Sequence, residues 1–440
     1  MKKLSVVAAG VAVLSLCACT EANEFVPSTN GNTKLITEIK VSSNASALGS
    51  RTVFDPGYNE SGEPTGSFGV VKWEPGDDEL HFFQKGNSGV HKTFVCASDD
   101  TDDSLPTDYD WNYFNAKNKN SDGLAVDKSY YAYYFPYYEY TGTDGETHIL
   151  KDDALSLSPV KYTNLYLDNT LTAPGAMLKA FMHNYDVLAS TTGENGSFGF
   201  VKATDPMGYI YMDHPFALIT VNLECVDDET TNYGMGHFTS YAGLPSFYQA
   251  EIKGLHFDDA ESKRKNSFAN SFQIDSDGSL KFNYADYNSE NPTTISTMYN
   301  STKYYYLVSD KSGVTLDKIY ALEGEIRNKL SFYFLVRQSD DGDMNRLVFY
   351  FDTESDHDET TKDSKDKYVE INLNNSYTFE PGKSYTFDFE VDYTTNVESA
   401  NTGTKPYSMQ NYWEDSEAAL IKLVKCPSGM SVNNCKYGTR

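Results

Sequence analysis

Short apolar runs that alternate with polar residues, each closed by an acidic or Gly/Asn/Ser turn, recur from Gly69 to Val391. That cadence suits strands and leaves little room for helices. Examples are Val70-Val71-Lys72-Trp73, Leu80-His81-Phe82-Phe83 and Thr93-Phe94-Val95-Cys96, then Pro215 to Leu223, Ala250 to Phe257, Lys303 to Val308, Leu330 to Val336, Leu347 to Phe351, Val369 to Leu373 and Ser384 to Val391. The chain carries 34 Tyr and 25 Phe, residue types that pack well on pleated surfaces. An all-β chain built as a pair of sandwiches is expected. Only Glu414 to Lys425 reads as a helix, with Leu420, Leu423 and Val424 on one side. The same stretch reads equally as a strand, because Ala419, Ile421 and Leu423 alternate with Leu420, Lys422 and Val424.

Within this pattern, Ser129 to Tyr140 is the most aromatic stretch. Alternation puts Tyr131, Tyr133 and Phe135 on one face and Tyr130 and Tyr134 on the other. Pro136 cannot donate to a ladder, so an edge or a bend is expected there. An aromatic stripe can stack sugars, but cross-strand packing is its commoner use. Ser98 to Asp110, with six aspartates and a proline, reads as a loop. Phe181 to Ala189 reads as a loop entering a strand, and Asp205-Pro206-Met207-Gly208 as the boundary between two domains.

The N-terminus addresses the chain. Met1-Lys2-Lys3, an apolar run from Leu4 to Leu16 and small residues before a cysteine form a bacterial secretion signal. A core of about 13 residues is too short to span a bilayer as a mature helix. Leu16-Cys17-Ala18-Cys19 also fits a lipobox with Cys19 as the acylated residue, whereas the frame ending at Cys17 places bulky Leu16 where a small residue belongs. The plainer alternative is a cleaved signal followed by a free cysteine. A diacylglycerol plus an amide-linked chain such as palmitate exceeds the two signals that stable anchoring takes, at about 0.8 kcal/mol per buried methylene. Glu21 to Asn32 is then a polar linker, and Leu35 to Ser42 a half-buried strand with Leu35, Thr37, Ile39 and Val41 inward. Arg51 follows in a turn-like stretch and reads, from the residues alone, as a surface or core-rim arginine.

Charge and reactive residues narrow the function. The net charge is −27 and there is no basic run, which disfavours nucleic acid and anionic lipid surfaces as partners. Eight histidines are scattered without HExxH or a close pair, so metal catalysis has no support; GxSxG, Walker and GxGxxG patterns are absent. Asp275-Ser276-Asp277-Gly278 and Asp340-Asp341-Gly342-Asp343 read as turns, since neither has the full ligand series of a calcium loop. No metal and no cofactor is expected. Six cysteines occur: Cys17 leaves with the signal, Cys19 is acylated, and Cys96 and Cys225 read as buried thiols. Cys426 and Cys435 flank the turn Pro427-Ser428-Gly429 and are a candidate disulfide in an oxidising compartment.

Several landmarks together resemble a known family. They are Arg51-Thr52-Val53-Phe54, Trp73-Glu74-Pro75-Gly76-Asp77, Tyr130 to Pro136, Asp186-Val187-Leu188-Ala189, the strand His214 to Leu223, and Phe379-Glu380-Pro381-Gly382-Lys383-Ser384-Tyr385-Thr386-Phe387. In this order, and with the lipobox, they resemble the fimbrillin family of Bacteroidales surface lipoproteins, including major and minor (Mfa-like) fimbrium subunits. The resemblance implies two tandem transthyretin-like β-sandwich domains, export as a lipoprotein, and surface exposure at the cell outer membrane in a fimbrium. It also implies removal of the first strand by an Arg/Lys-specific protease, here at Arg51, and filling of the vacated groove by a strand of a neighbouring subunit.

The expected plan is a signal peptide over 1–18, a lipidated propeptide with the first strand over 19–51, domains over 52–205 and 206–413, and a tail over 414–440. That tail is either a donor strand or a cysteine-closed end. The expected function is a structural or adhesive fimbrial subunit without catalytic residues, whose partners are other subunits, the outer membrane through the lipid, and host or bacterial surface ligands. The alternative is a monomeric surface lipoprotein that binds glycans through exposed aromatics. An enzyme ranks below both.

Overall fold

In a computed structural model the chain is predominantly β, as its cadence requires. The structure describes residues 34–43, 53–54, 71–73, 76–96, 113–116, 122–141, 146–161, 164–167, 176–194, 196–225, 246–258, 263–284, 294–299, 305–306, 329–340, 344–353, 367–391 and 421–439. The first half contributes β1 (Leu35–Ile36), β2 (Glu38–Ser43), β3 (Val53–Phe54), β4 (Val71–Lys72), β5 (Glu79–Gln84), β6 (Asn87–Cys96), β7 (Tyr113–Asn115), β8 (Leu124–Ala125), β9 (Ser129–Tyr134), β10 (Glu139–Thr141) and β11 (Thr147–Ile149). Helix α1 (Leu150–Leu155), β12 (Val160–Lys161), β13 (Asn164–Leu167), helix α2 (Ala176–Tyr185), β14 (Leu188–Ser190), β15 (Val201–Lys202) and β16 (Ile210–Asp213) follow.

Seven of these strands close on themselves. The pairing runs β9-β5-β6-β7-β2-β16-β14, and β14 returns to β9 through Leu188↔Tyr134 and Ala189↔Tyr133. Closure leaves no free edge within the ring, the surest protection against stray strand pairing. Its interior is filled by Ile36, Ile39, Val41, Trp73, Leu80, Phe82, Phe94, Cys96, Phe114, Tyr130, Tyr134, Ile210 and Met212.

The second half adds β17 (Ala217–Cys225), β18 (Ser246–Asp258), β19 (Lys263–Asn266), β20 (Ser271–Ile274), β21 (Leu280–Asn283), β22 (Ile295–Tyr299), β23 (Tyr305–Tyr306), β24 (Lys329–Val336), β25 (Met344–Thr353), β26 (Lys367–Tyr377), β27 (Ser384–Val391), β28 (Ile421–Lys425) and β29 (Val432–Thr439). One sheet runs β24-β17-β27-β28 and another β13-β22-β18-β25-β26-β29. The two pack face to face through Phe349 against Phe387 and Phe389, at ring separations of 4.9 and 5.2 Å. The chain between ring strands lends β13 to the far sheet, parallel to β22, and β12 to β20. Residues 35–440 accordingly form one unit. Strand β16, beyond Asp205-Pro206, still belongs to the ring, so the change of sheet falls between Asp213 and Ala217.

The aromatic strand β9 is the wall shared by the two cores. Tyr130, Ala132 and Tyr134 face the ring interior, while Tyr133 and Phe135 join the larger core with Phe272 and Phe216. Alternation therefore assigned both faces correctly, and core packing is the use made of the stripe. Pro136 marks neither an edge nor a bend within β9, which is paired on both sides; it follows the strand's end and is itself buried.

Two further expectations are corrected and one open alternative is resolved. The stretch before Asp186 is a helix, α2, because Ala, Met, Leu and Lys are good helix formers and Met177, Leu178, Phe181, Met182 and Tyr185 fall on one buried face. The ambiguous Glu414–Lys425 stretch yields the strand β28 over its described part, paired antiparallel with β27. In the first strand the inward residue is Ile36, not Leu35, which is 43% exposed. The strand breaks at Thr37, so β1 pairs with β8 and β2 with β7, and this one residue between the two strands reverses the facing of Leu35 and Ile36.

Candidate assembly site at the first strand

Strand β2 occupies an interior position in the ring. It pairs antiparallel with β7 (Glu38↔Asn115, Ile39↔Phe114, Lys40↔Tyr113) and parallel with β16 (Ile210↔Val41, Tyr211↔Ser42, Met212↔Ser43). At the break between β1 and β2, the Ala116 amide donates to the Thr37 carbonyl at 2.9 Å. Ile39 and Val41 are buried, and Glu38 and Lys40 point to solvent, with the Lys40 ammonium 5.8 Å from the Tyr209 ring. The surrounding core includes Trp73, edge-on to Phe114 at 5.0 Å and to Tyr134 at 5.4 Å. β2 therefore fills a two-sided slot between β7 and β16.

Gly123 lies close against the first strand. It has φ +86°, and a Cβ placed there would stand 2.3 Å from the Ile36 carbonyl oxygen. Gly123→Ala is therefore expected to displace β1 and lower stability by about 1–3 kcal/mol, read as a fall in urea midpoint at unchanged slope.

The expected site residues divide sharply. Cys19 and Arg51 lie outside the described residues; in sequence Arg51 stands between the end of β2 at Ser43 and the start of β3 at Val53. Cys426 and Cys435 are described, half-buried, and present as free thiols; Cys96 is a buried thiol, as expected. The Cys225 side chain is outside the described part. The acidic stretch Asp275 to Gly278 is the turn between β20 and β21, where the Asp277 carboxylate accepts from the Ser279 amide and hydroxyl. Those two hydrogen bonds hold the Asp277 carboxyl below the usual carboxylate range.

Two pairings were invisible in the sequence. His81 and His91 approach to 3.2 Å (Nδ1 to Nε2) across the β5–β6 pair, correcting the expectation of no close histidine pair; antiparallel register, not sequence spacing, joins them. Asp186, after α2, and His214, before β17, form a buried pair at 2.5 Å (Oδ1 to Nδ1). Burial pushes the Asp186 carboxyl up, and His214 draws it part of the way back. Neither pair extends into a metal centre: among the described residues no group of three His, Cys, Asp or Glu is placed to hold an ion.

No family model matches the chain, and no curated protein matches it. Solved structures it is similar to include candidate cell adhesion proteins and a fimbrial protein from Bacteroidales. Two are candidate cell adhesion proteins, one from Bacteroides uniformis ATCC 8492 (12% identity over 73% of this chain and 89% of that one, TM-score 0.32) and one from Bacteroides eggerthii DSM 20697 (11%, 93% and 98%, 0.31). A third is the tip fimbrial protein Mfa3 from Porphyromonas gingivalis (7%, 82% and 93%, TM-score 0.24). At such scores the superpositions define neither a shared topology nor a shared activity.

Proposed function

We propose that this protein is a structural or adhesive subunit of a bacterial surface fimbria, exported as a lipoprotein acylated at Cys19 and assembled by strand exchange after cleavage at Arg51. The observation that carries the reading is the interior place of β2, whose loss opens the β7 and β16 edges together and, with β1, empties the three apolar sites of Ile36, Ile39 and Val41. Only a strand with the same alternation repairs both defects. Support also comes from the lipobox, from the ordered landmarks of the fimbrillin family, and from an arginine in the connection that must be cut to free β2. The implied partners are further subunits and, through the lipid, the outer membrane. The glycan-binding alternative draws no support from β9, which packs both faces into the two cores; the exposed aromatics lie elsewhere, at Tyr137, Tyr166 and Tyr209 among others.

Mass spectrometry of the intact protein taken from the cell surface tests this. A start at Thr52 without lipid is the expected result for assembled material. Arg51→Ala should leave a lipidated, stable, full-length monomer that does not polymerise. Assembled fibres made of chains that still start at Cys19 would overturn the strand-exchange reading.

A further inference from the structure

The two ends of the final hairpin lie in different sheets. Strand β28 pairs with β27 in one sheet, and β29 pairs with β26 in the other. The turn between them, closed by the Met430 amide on the Pro427 carbonyl at 3.2 Å with Gly429 at φ +81°, crosses from one sheet to the other. It runs beside the β26–β27 connection, to which Tyr377 ties it by donating its hydroxyl to the Ser428 carbonyl at 3.2 Å. Both thiols point inward here. Cys426 and Cys435 are half-buried against the same core as Leu423, Val432 and Tyr437, while their neighbours Lys425 and Lys436 face solvent.

We propose that Cys426 and Cys435 are an oxidation site whose disulfide staples the last strand of one sheet to the last strand of the other. The oxidant is a disulfide, either of a thiol–disulfide oxidoreductase or a small molecule. One thiolate attacks it to give a mixed disulfide, and the second displaces the leaving thiolate. Two thiols become one disulfide, and two electrons and two protons leave with the reduced oxidant. Burial raises the Cys435 thiol, so exchange through it speeds up as pH rises. The staple holds β29 on its own β26. On the proposed assembly reading, this keeps the oxidised tail from serving as a donor and fits the chain for the end of a fibre rather than its shaft.

The test uses the folded full-length chain incubated with oxidised glutathione, blocked with iodoacetamide under denaturing conditions and digested with trypsin. Peptide 426–436, bounded by cleavage after Lys425 and Lys436, is expected without alkyl groups and two hydrogen atoms lighter than its reduced form. Cys435→Ser is expected to leave a lasting glutathione adduct on Cys426. In the oxidised protein the amides of β29 should exchange more slowly than in the reduced protein, by about tenfold or more. Alkylation of both cysteines, or joining of either to another cysteine, overturns the staple whatever the assembly state. A sealed peptide with equal β29 exchange in both redox states overturns its role as a clasp. Failure of every form of the chain to polymerise would sink the strand-exchange reading and leave the staple standing.

Discussion

A chain that begins at Thr52 is expected to lose its monomeric fold. Without residues up to Arg51, the ring gives up Ile36, Ile39 and Val41, each buried to 8% exposure or less. At roughly 1.5–3 kcal/mol per buried aliphatic side chain, that is about 5–9 kcal/mol, against a total stability of about 5–15 kcal/mol for a typical domain. The ladder loss adds to it, since β7 and β16 are left with unpaired backbone groups facing one another across an empty slot. Size-exclusion and near-ultraviolet circular dichroism should find the truncated chain either unfolded or self-associated. A peptide spanning 34–43 should restore the monomer, and the same peptide with Ile39→Asp and Val41→Asp should not. A truncated chain that remains monomeric with an unchanged urea midpoint would show that the first strand lies outside the cooperative unit, and strand exchange would lose its physical drive.

What the sequence disclosed follows the range of the interactions involved. Strand alternation is local, so the two faces of Tyr130 to Phe135 and the buried Ile39 and Val41 were legible. Phase is also local, but it survives only while the strand is unbroken, and the break at Thr37 put Leu35 on the wrong side. The α2 segment was misread because its apolar Phe181-Met182 and the Val187-Leu188-Ala189 run that leads into β14 merge helix and strand patterns, with only Asp186 and Val187 between the two elements. Ring closure through β14, the lending of β13 to a distant sheet and the His81–His91 approach depend on pairings between remote segments, about which a single sequence is silent. The proposed assembly site was legible in kind. An alternating strand near the N-terminus followed by an arginine can be read directly, but its interior position in a closed ring cannot.

The buried pair of Asp186 and His214 yields the second large effect, and it bears on the junction between the ring and the sandwich. Asp186 caps the path from α2 into β14, its amide donating to the Met182 carbonyl at 2.9 Å; His214 stands where β16 of the ring hands over to β17 of the sandwich. Next to it, the Asp213 carboxylate accepts from the His214 amide at 2.7 Å, and a Cβ on Gly382 would come within 2.7 Å of that carboxylate. Removing one partner of a buried pair strands the other, so Asp186→Ala is expected to cost about 3–5 kcal/mol. Asp186→Asn keeps the volume and an oxygen that can accept from Nδ1, so it should cost distinctly less; equal losses would mean that packing, not the pair, holds the junction. The pH dependence separates charge from shape. Burial lifts the Asp186 carboxyl above its ordinary 3.8, so the folded state holds this proton more tightly than the unfolded one. The stability linked to that proton is complete below pH 3.8 and is lost as pH rises through the folded value. The Asn variant has no such proton, so urea titrations from acid to neutral pH should find it gaining on the wild type as pH climbs. A constant difference between them would place the carboxyl's ionisation outside the energetics of the junction.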